Sequence, residues 1–160
     1  MTTPAAQIPV STVPAVKAFL FQQISASVTP NPNPSFPLLV TYDQPGTNQP
    51  AEIVVVGSTR HRTAKPFQMV GSGGHGWLYE EYELELEIAV FHGGDDAQGC
   101  YERAYSILGQ IEAVIRSDPS LGGRVVVAHP ATTRDTCTWE QEHKGRLVVV
   151  ELTVNVSAQI

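Results

Sequence analysis

The sequence predicts an α+β fold: a mixed, largely antiparallel sheet of about five to seven strands with two helices packed on one face. Three observations lead there. "YEEYELELEIAVF" (79–91) alternates strictly, with Glu81, Glu83, Glu85 and Glu87 on one side and Tyr82, Leu84, Leu86 and Ile88 on the other. A period of two belongs to a strand. Two other stretches, 11–28 and the run after "HGGDD", carry apolar residues at helical spacing. The last strand, "RLVVVELTVNV" (146–156), repeats the alternation, with Val148, Val150, Leu152, Val154 and Val156 on one face. Two strands with one apolar face each are natural sheet partners, and the helices then cover that face.

In chain order, residues 1–10 read as a flexible tail and 11–160 as one α/β domain. "STVPAVKAFLFQQISASV" (11–28) is a helix that Ser11 or Thr12 can cap, with Pro14 in its first turn. Val16, Phe19, Leu20, Ile24 and Val28 form its stripe. Prolines at 30, 32, 34 and 37 forbid helix and make 29–37 an extended connector. "LLVTYD" (38–43) and "AEIVVVGS" (51–58) are strands linked by the turn-rich "QPGTNQP". Residues 59–78 read as the least regular part, with a basic loop (Arg60, His61, Arg62, Lys65), a short strand "PFQMV" and a flexible "GSGGHG". The second helix is capped by Asp95 or Asp96. Its stripe is Ala97, Cys100, Tyr101, Ala104, Leu108, Ile111 and Ile115, and Pro119 lies beyond its end. Gly109 inside it suggests close packing at that point. "GRVVVAH" (123–129) is a further strand, and "TRDTCTWEQE" (133–142) forms a hairpin with 146–156.

Composition narrows function. A chain of 160 residues suits one domain, and a net charge of −6 gives no basic footprint for gripping DNA. No apolar run approaches the roughly 20 residues of a membrane span, so no membrane partner is expected, and the start does not read as a secretory signal. Cys100 and Cys137 are far apart and lack CxxC spacing. His61, His75, His92, His129 and His143 form no HxxxH or HExxH pattern, so no metal is expected. "GSGGHG" lacks the Lys of a phosphate loop and runs into a strand. Four carboxylates along one open strand give no acid–base pair across a cleft, and GxSxG is absent. The expectation is therefore a protein without catalytic residues or cofactor.

Two charged features remain. The row Glu81, Glu83, Glu85 and Glu87 is either a solvated outer face or a surface that repels nucleic acid. The basic segment Arg60, His61, Arg62 and Lys65 is either an ordinary exposed loop or a docking element for an acidic surface, such as the row of a neighbouring copy.

The helix "VPAVKAFLFQQI", the central "EYELELEIAVFHGGDDAQGCYERAYSILGQIEAVIRSDPSLGG" and the closing "GRLVVVELTVNV" resemble tail terminator (tail completion) proteins of long-tailed bacteriophages and the minor tail proteins encoded near them. The resemblance spans most of residues 13–160. It implies a hexameric ring that caps the tail tube, ends its polymerisation and offers a surface to the head. The implied partners are further copies of itself, the major tail tube protein and the head completion or connector protein. Double-stranded DNA passes through without specific binding. The implied location is the tail or neck of a virion assembled in the host cytoplasm. A head–tail adaptor or other minor tail component is the alternative within the virion, and a small ligand-binding domain the alternative outside it. On the leading reading, the glutamate row faces the lumen or a subunit boundary near it, and the basic loop contacts a neighbour or the tube.

Overall fold

The computed structural model describes residues 11–46, 49–66 and 78–160. The chain has an α+β fold, with α1 (Val13–Ser27), β1 (Leu38–Tyr42), β2 (Glu52–Pro66), β3 (Leu78–Gly93), α2 (Ala97–Ser117), β4 (Val127–Glu140) and β5 (Gly145–Gln159). The five strands form one sheet in the order β1-β2-β3-β5-β4. β1 runs parallel to β2, and every other pairing is antiparallel. The tail 1–10, the "GSGGHG" segment and all of "PFQMV" beyond Pro66 lie outside the described residues.

Alternation decides which face is buried. Tyr82, Leu84, Leu86, Ile88 and Val90 of β3 stand beside Val148, Val150, Leu152, Val154 and Val156 of β5, and all are buried. Over them lie Val16, Leu20 and Ile24 of α1 and Cys100, Ala104, Ile107, Leu108, Ile111 and Ile115 of α2. The two helices thus share one sheet face, as expected. Ile107 joins the α2 stripe that the sequence reading gave without it.

Three expectations need correction. Residues 59–66 are not loop but the continuation of β2, paired with β3 down to Pro66 opposite Leu78. Two bulges hid this. Gly57 and Ser58 oppose Glu85 alone, and His61 and Arg62 oppose Tyr82 alone. Each extra residue flips the side-chain alternation, so no simple period survives in the sequence. Gly57 suits its bulge because a Cβ there would sit 2.9 Å from the Glu85 carbonyl oxygen. Second, 123–129 and 133–142 are not separate strands. Residues 127–129 and 133–140 belong to one β4, interrupted by a register shift between Pro130 and Thr132, while 123–126 and 141–142 are turns and bends.

Third, Gly109 is not closely packed, since a Cβ there would meet nothing within 4 Å. A helix-interior glycine in open space only adds freedom to the unfolded chain. Gly109→Ala is expected to stabilise the protein by about 0.5–1 kcal/mol. Urea denaturation would show a higher midpoint at an unchanged slope.

The proline-rich connector is held by a buried carboxylate. Glu52, fully buried at the start of β2, accepts from Arg103 Nε at 3.0 Å and from Asn31 Nδ2 at 3.1 Å. His92 Nε2 lies 3.2 Å from the same carboxylate, and Phe36 stacks on the His92 ring with centroids 3.9 Å apart. Arg103 also donates to the Thr29 carbonyl oxygen. One buried charge therefore ties α2, β3 and both ends of the connector together.

Candidate functional site

The sheet face turned away from the helices is divided into two zones. The glutamate row occupies the first. Glu81 is exposed, and Glu83, Glu85 and Glu87 are half-buried, all on this open face as the alternation predicted. The basic segment lies beside the row within the same chain. Arg60 Nε meets Glu85 at 3.0 Å, and His61 Nδ1 meets Glu83 at 2.9 Å. His61 has a φ of 51°, in the left-handed region, and sits at the second bulge. The bulge lets both Arg60 and His61 address the open face.

Arg62 goes the other way. Its guanidinium meets Glu80 at 2.6 Å, on the helix side of the sheet. Glu80 is fully buried and was missed by the sequence reading, which counted only the alternate glutamates. Its Oε1 accepts from the Thr12 backbone N–H at 3.0 Å and the Thr12 hydroxyl at 2.7 Å. The Tyr82 hydroxyl is 3.0 Å from the Thr12 hydroxyl. Thr12 is the N-cap of α1, yet its side chain makes no capping bond. A carboxylate from β3 instead meets the positive end of the helix. The signal was present in "YEEYE": a glutamate at an apolar-phase position of a strand needs a buried partner. Burial works against the ionised Glu80, but its bonds from Thr12, Ser11 and Arg62 win and hold its pKa below the usual carboxylate range.

At the far end of the row two carboxylates face each other, with Arg134 of β4 on the other side of the second. Glu87 stands directly opposite Glu151 of β5. Burial, then the Glu151 and Glu85 charges, push the Glu87 pKa up. A raised folded-state pKa means that the ionised form costs stability: the fold is favoured below the unfolded pKa and loses that advantage as pH rises through the folded value. Glu87→Gln is expected to stabilise the fold near neutral pH by about 0.2–1 kcal/mol, the worth of a like-charged cross-strand pair. The gain should vanish in acid, which thermal melts across pH would show.

The second zone begins beside Glu87. Ile53 and Val55 of β2, Ala89 and Phe91 of β3, and Leu147 and Val149 of β5 floor a concavity of about 740 Å³. Gln44, Pro45, Gln49 and Pro50 of the 43–51 link wall one side, and Glu140 at the end of β4 and His143 of the β4–β5 turn wall the other. The floor is built by register, for Ile53, Ala89 and Val149 align across three strands. Gly145 leaves room for the Phe91 ring, which a Cβ would meet at 2.5 Å. The sequence reading did not find this groove, because its rows are assembled from three distant segments.

No protein-family model matches the sequence, and no curated protein does. Several solved structures are similar to the chain. One of them is a chain of the "Virion of native gene transfer agent (GTA) particle", 11% identical, with a TM-score of 0.49. The match covers 94% of this chain and 100% of that one. A likeness of that extent carries no argument about function.

Among the described residues no three His, Cys, Asp or Glu side chains are grouped to hold a metal. His92, His129 and His143 lie apart, on Glu52, on β4 and in the β4–β5 turn, while His75 lies outside the described residues. Cys100 and Cys137 are both free thiols. Among the described residues no helix is long and apolar enough to cross a membrane.

Proposed function

We propose that the chain is a structural subunit of a phage-type virion, a hexameric ring at the end of the tail tube that stops tube growth and presents a surface to the head. The observation that carries the reading is the sheet's asymmetry. One face is filled by two helices, while the other is left open along its length and split into a carboxylate row and an apolar groove. An enzyme of this size concentrates polar groups in a cleft. Here the polar groups form a row, which suits a surface presented to something long. The sequence resemblance to tail terminators supplies the rest.

On this reading Glu81, Glu83 and Glu85 face the passage and Glu87 marks the boundary between subunits. A conduit for DNA works best when its wall repels phosphate. Arg60 and His61 hold the row in place from within the subunit at Glu85 and Glu83, and Lys65 is exposed beside them. Cryo-electron microscopy of assembled tails is expected to show this chain as a sixfold ring at the tube's head-proximal end. Tails made without it are expected to overgrow. A monomeric or twelvefold position, or unchanged tail length in its absence, would sink the reading in favour of an adaptor.

A further inference from the structure

Both outer edges of the sheet are open. Among the described residues no strand pairs with the free side of β1 or of β4. Unpaired edges invite pairing, and proteins commonly guard them with lysine, proline, bulges or a covering element. These two lack such guards. β1 carries no charge and no proline, and β4 runs unbroken from Thr132 to Glu140 with neither lysine nor proline. Of the five large apolar side chains left exposed among the described residues, three stand at these edges. Tyr42 is at one. Trp139 is at the other, together with Tyr105 of α2, which donates to Asp135 of β4. All three lie on the helix side of the sheet. Tyr42 meets Phe21 and Lys17 of α1, and Trp139 shares the phase of Cys137, which packs on the core.

We propose that the free edge of β1 in one copy pairs antiparallel with the free edge of β4, over Thr132–Glu140, in the next copy. This rests on the ring reading above and names the contact that joins its subunits. Strand sense fits. β1 is parallel to β2 and every later pairing across the sheet is antiparallel, so β1 and β4 run in opposite senses. Rotation about an axis along the strands preserves those senses, so a neighbour's β1 meets β4 antiparallel. Height fits as well. One row crosses the sheet through Leu38, Glu52, Val90, Val148 and Cys137, and another through Tyr42, Val56, Leu86, Leu152 and Thr133. β1 and Thr133–Cys137 thus sit at the same level on opposite edges, and no large slip is needed to pair them. In that register the side-chain phases agree, with Leu39 and Thr136 both on the open face. On the helix side the neighbour's Tyr42 lies diagonal to Asp135, beside Tyr105, and its Leu38 lies diagonal to Trp139. Tyr42 also carries the Lys17 ammonium, 4.5 Å over its ring, toward the Asp135 carboxylate, which accepts from the Tyr101 and Tyr105 hydroxyls. The two edges are different surfaces of one chain, so the contact is heterologous and propagates until a ring closes.

The test separates the contact from the ring. Leu39→Cys and Thr136→Cys are combined in a Cys137→Ser background, and assembled tails are oxidised. A ladder of covalent oligomers that ends at the hexamer is expected from the double variant and from neither single one. In parallel, purified chain is added back to tails made without it. Trp139→Ala is expected to raise the concentration that caps half of the tails at least about tenfold, and Trp139→Phe to raise it less. Melting curves confirm that each variant folds. Sixfold rings on tails with no ladder, or half-capping unchanged by Trp139→Ala, would overturn the contact and leave the ring standing. A ladder that runs on past six, with no sixfold ring on tails, would keep the contact and sink the ring. Neither ladder nor ring would overturn both. Thr136→Cys alone joining to another Thr136→Cys chain, or to the tube protein, would show that a different partner covers β4 and would also overturn the contact.

Discussion

Replacing Glu80 with Ala is expected to lower stability by about 3 kcal/mol, the low end of what breaking a buried ion pair costs. The value sits low because Arg62 is half exposed and can turn to water once its partner is gone. What cannot turn away is the Thr12 backbone N–H and the space the carboxylate filled. For a chain of this size the loss corresponds to roughly 6–12 °C in Tm. Glu80→Gln keeps the volume but sets an amide where the ionised oxygens met two donors and a guanidinium, so it should fall between Ala and the unsubstituted chain. The pH dependence identifies the cause. Because the folded-state pKa of Glu80 is lowered, its contribution is present above its unfolded pKa, near 4.5, and is lost as pH falls through the folded value. The difference in Tm between the unsubstituted chain and Glu80→Gln should therefore shrink in acid. An equal difference at pH 7 and pH 3 would show that Glu80 acts through shape alone. Arg62→Ala should cost less than Glu80→Ala, since Thr12 still serves the carboxylate.

That buried carboxylate also shows where sequence reasoning stops. The period of β3 was legible because one strand carries its whole pattern, and both helices were legible for the same reason. β5 followed, since its valines repeat the phase of β3. The second half of β2 was not legible. Bulges at Gly57–Ser58 and His61–Arg62 shift the phase twice within ten residues, and the sequence then looks irregular although the ladder continues to Pro66. β4 was split for the same reason at Pro130, and its side chains are mostly exposed, so no apolar pattern marks it. Half of the candidate site, the glutamate row, came from one strand and could be read in advance. The groove could not, because Ile53, Ala89 and Val149 meet only through the register of three strands. The basic segment was seen, but its partners within the chain were not: pairing with Glu83 and Glu85 needs β2 to be a strand where it looked like a loop.

The same pairing decides how the row should be tested. Changing all four glutamates to lysine would set new cations against Arg60 and disturb the groove at Glu87. Glu81→Lys with Glu83→Lys spares the groove and keeps the Arg60–Glu85 ion pair, which offsets the new charge at position 83 opposite Arg60. Glu81 is exposed, and the partner of Glu83, His61, has a side chain 75% exposed and can turn into solvent. Each swap adds two units of charge, which takes the chain from −6 to −2 and concentrates the change on one strip of the open face. If that strip lines the passage, assembled rings of the double variant should bind double-stranded DNA. Binding should fall with salt at a log–log slope of about −1.8 for each subunit that brings both lysines to phosphates. Genome release should slow, with tails of normal length, because the groove and the end surfaces of the ring are untouched. Glu81→Gln with Glu83→Gln should fold, assemble and release DNA as before, since neutralising the strip gives phosphate nothing to hold. Lysine rings that ignore DNA at low salt, or particles that release their genome at the usual rate, would place the row on the outside of the assembly. Its four carboxylates would then only keep an exposed sheet face wet, and the case for a DNA passage along this face would be gone.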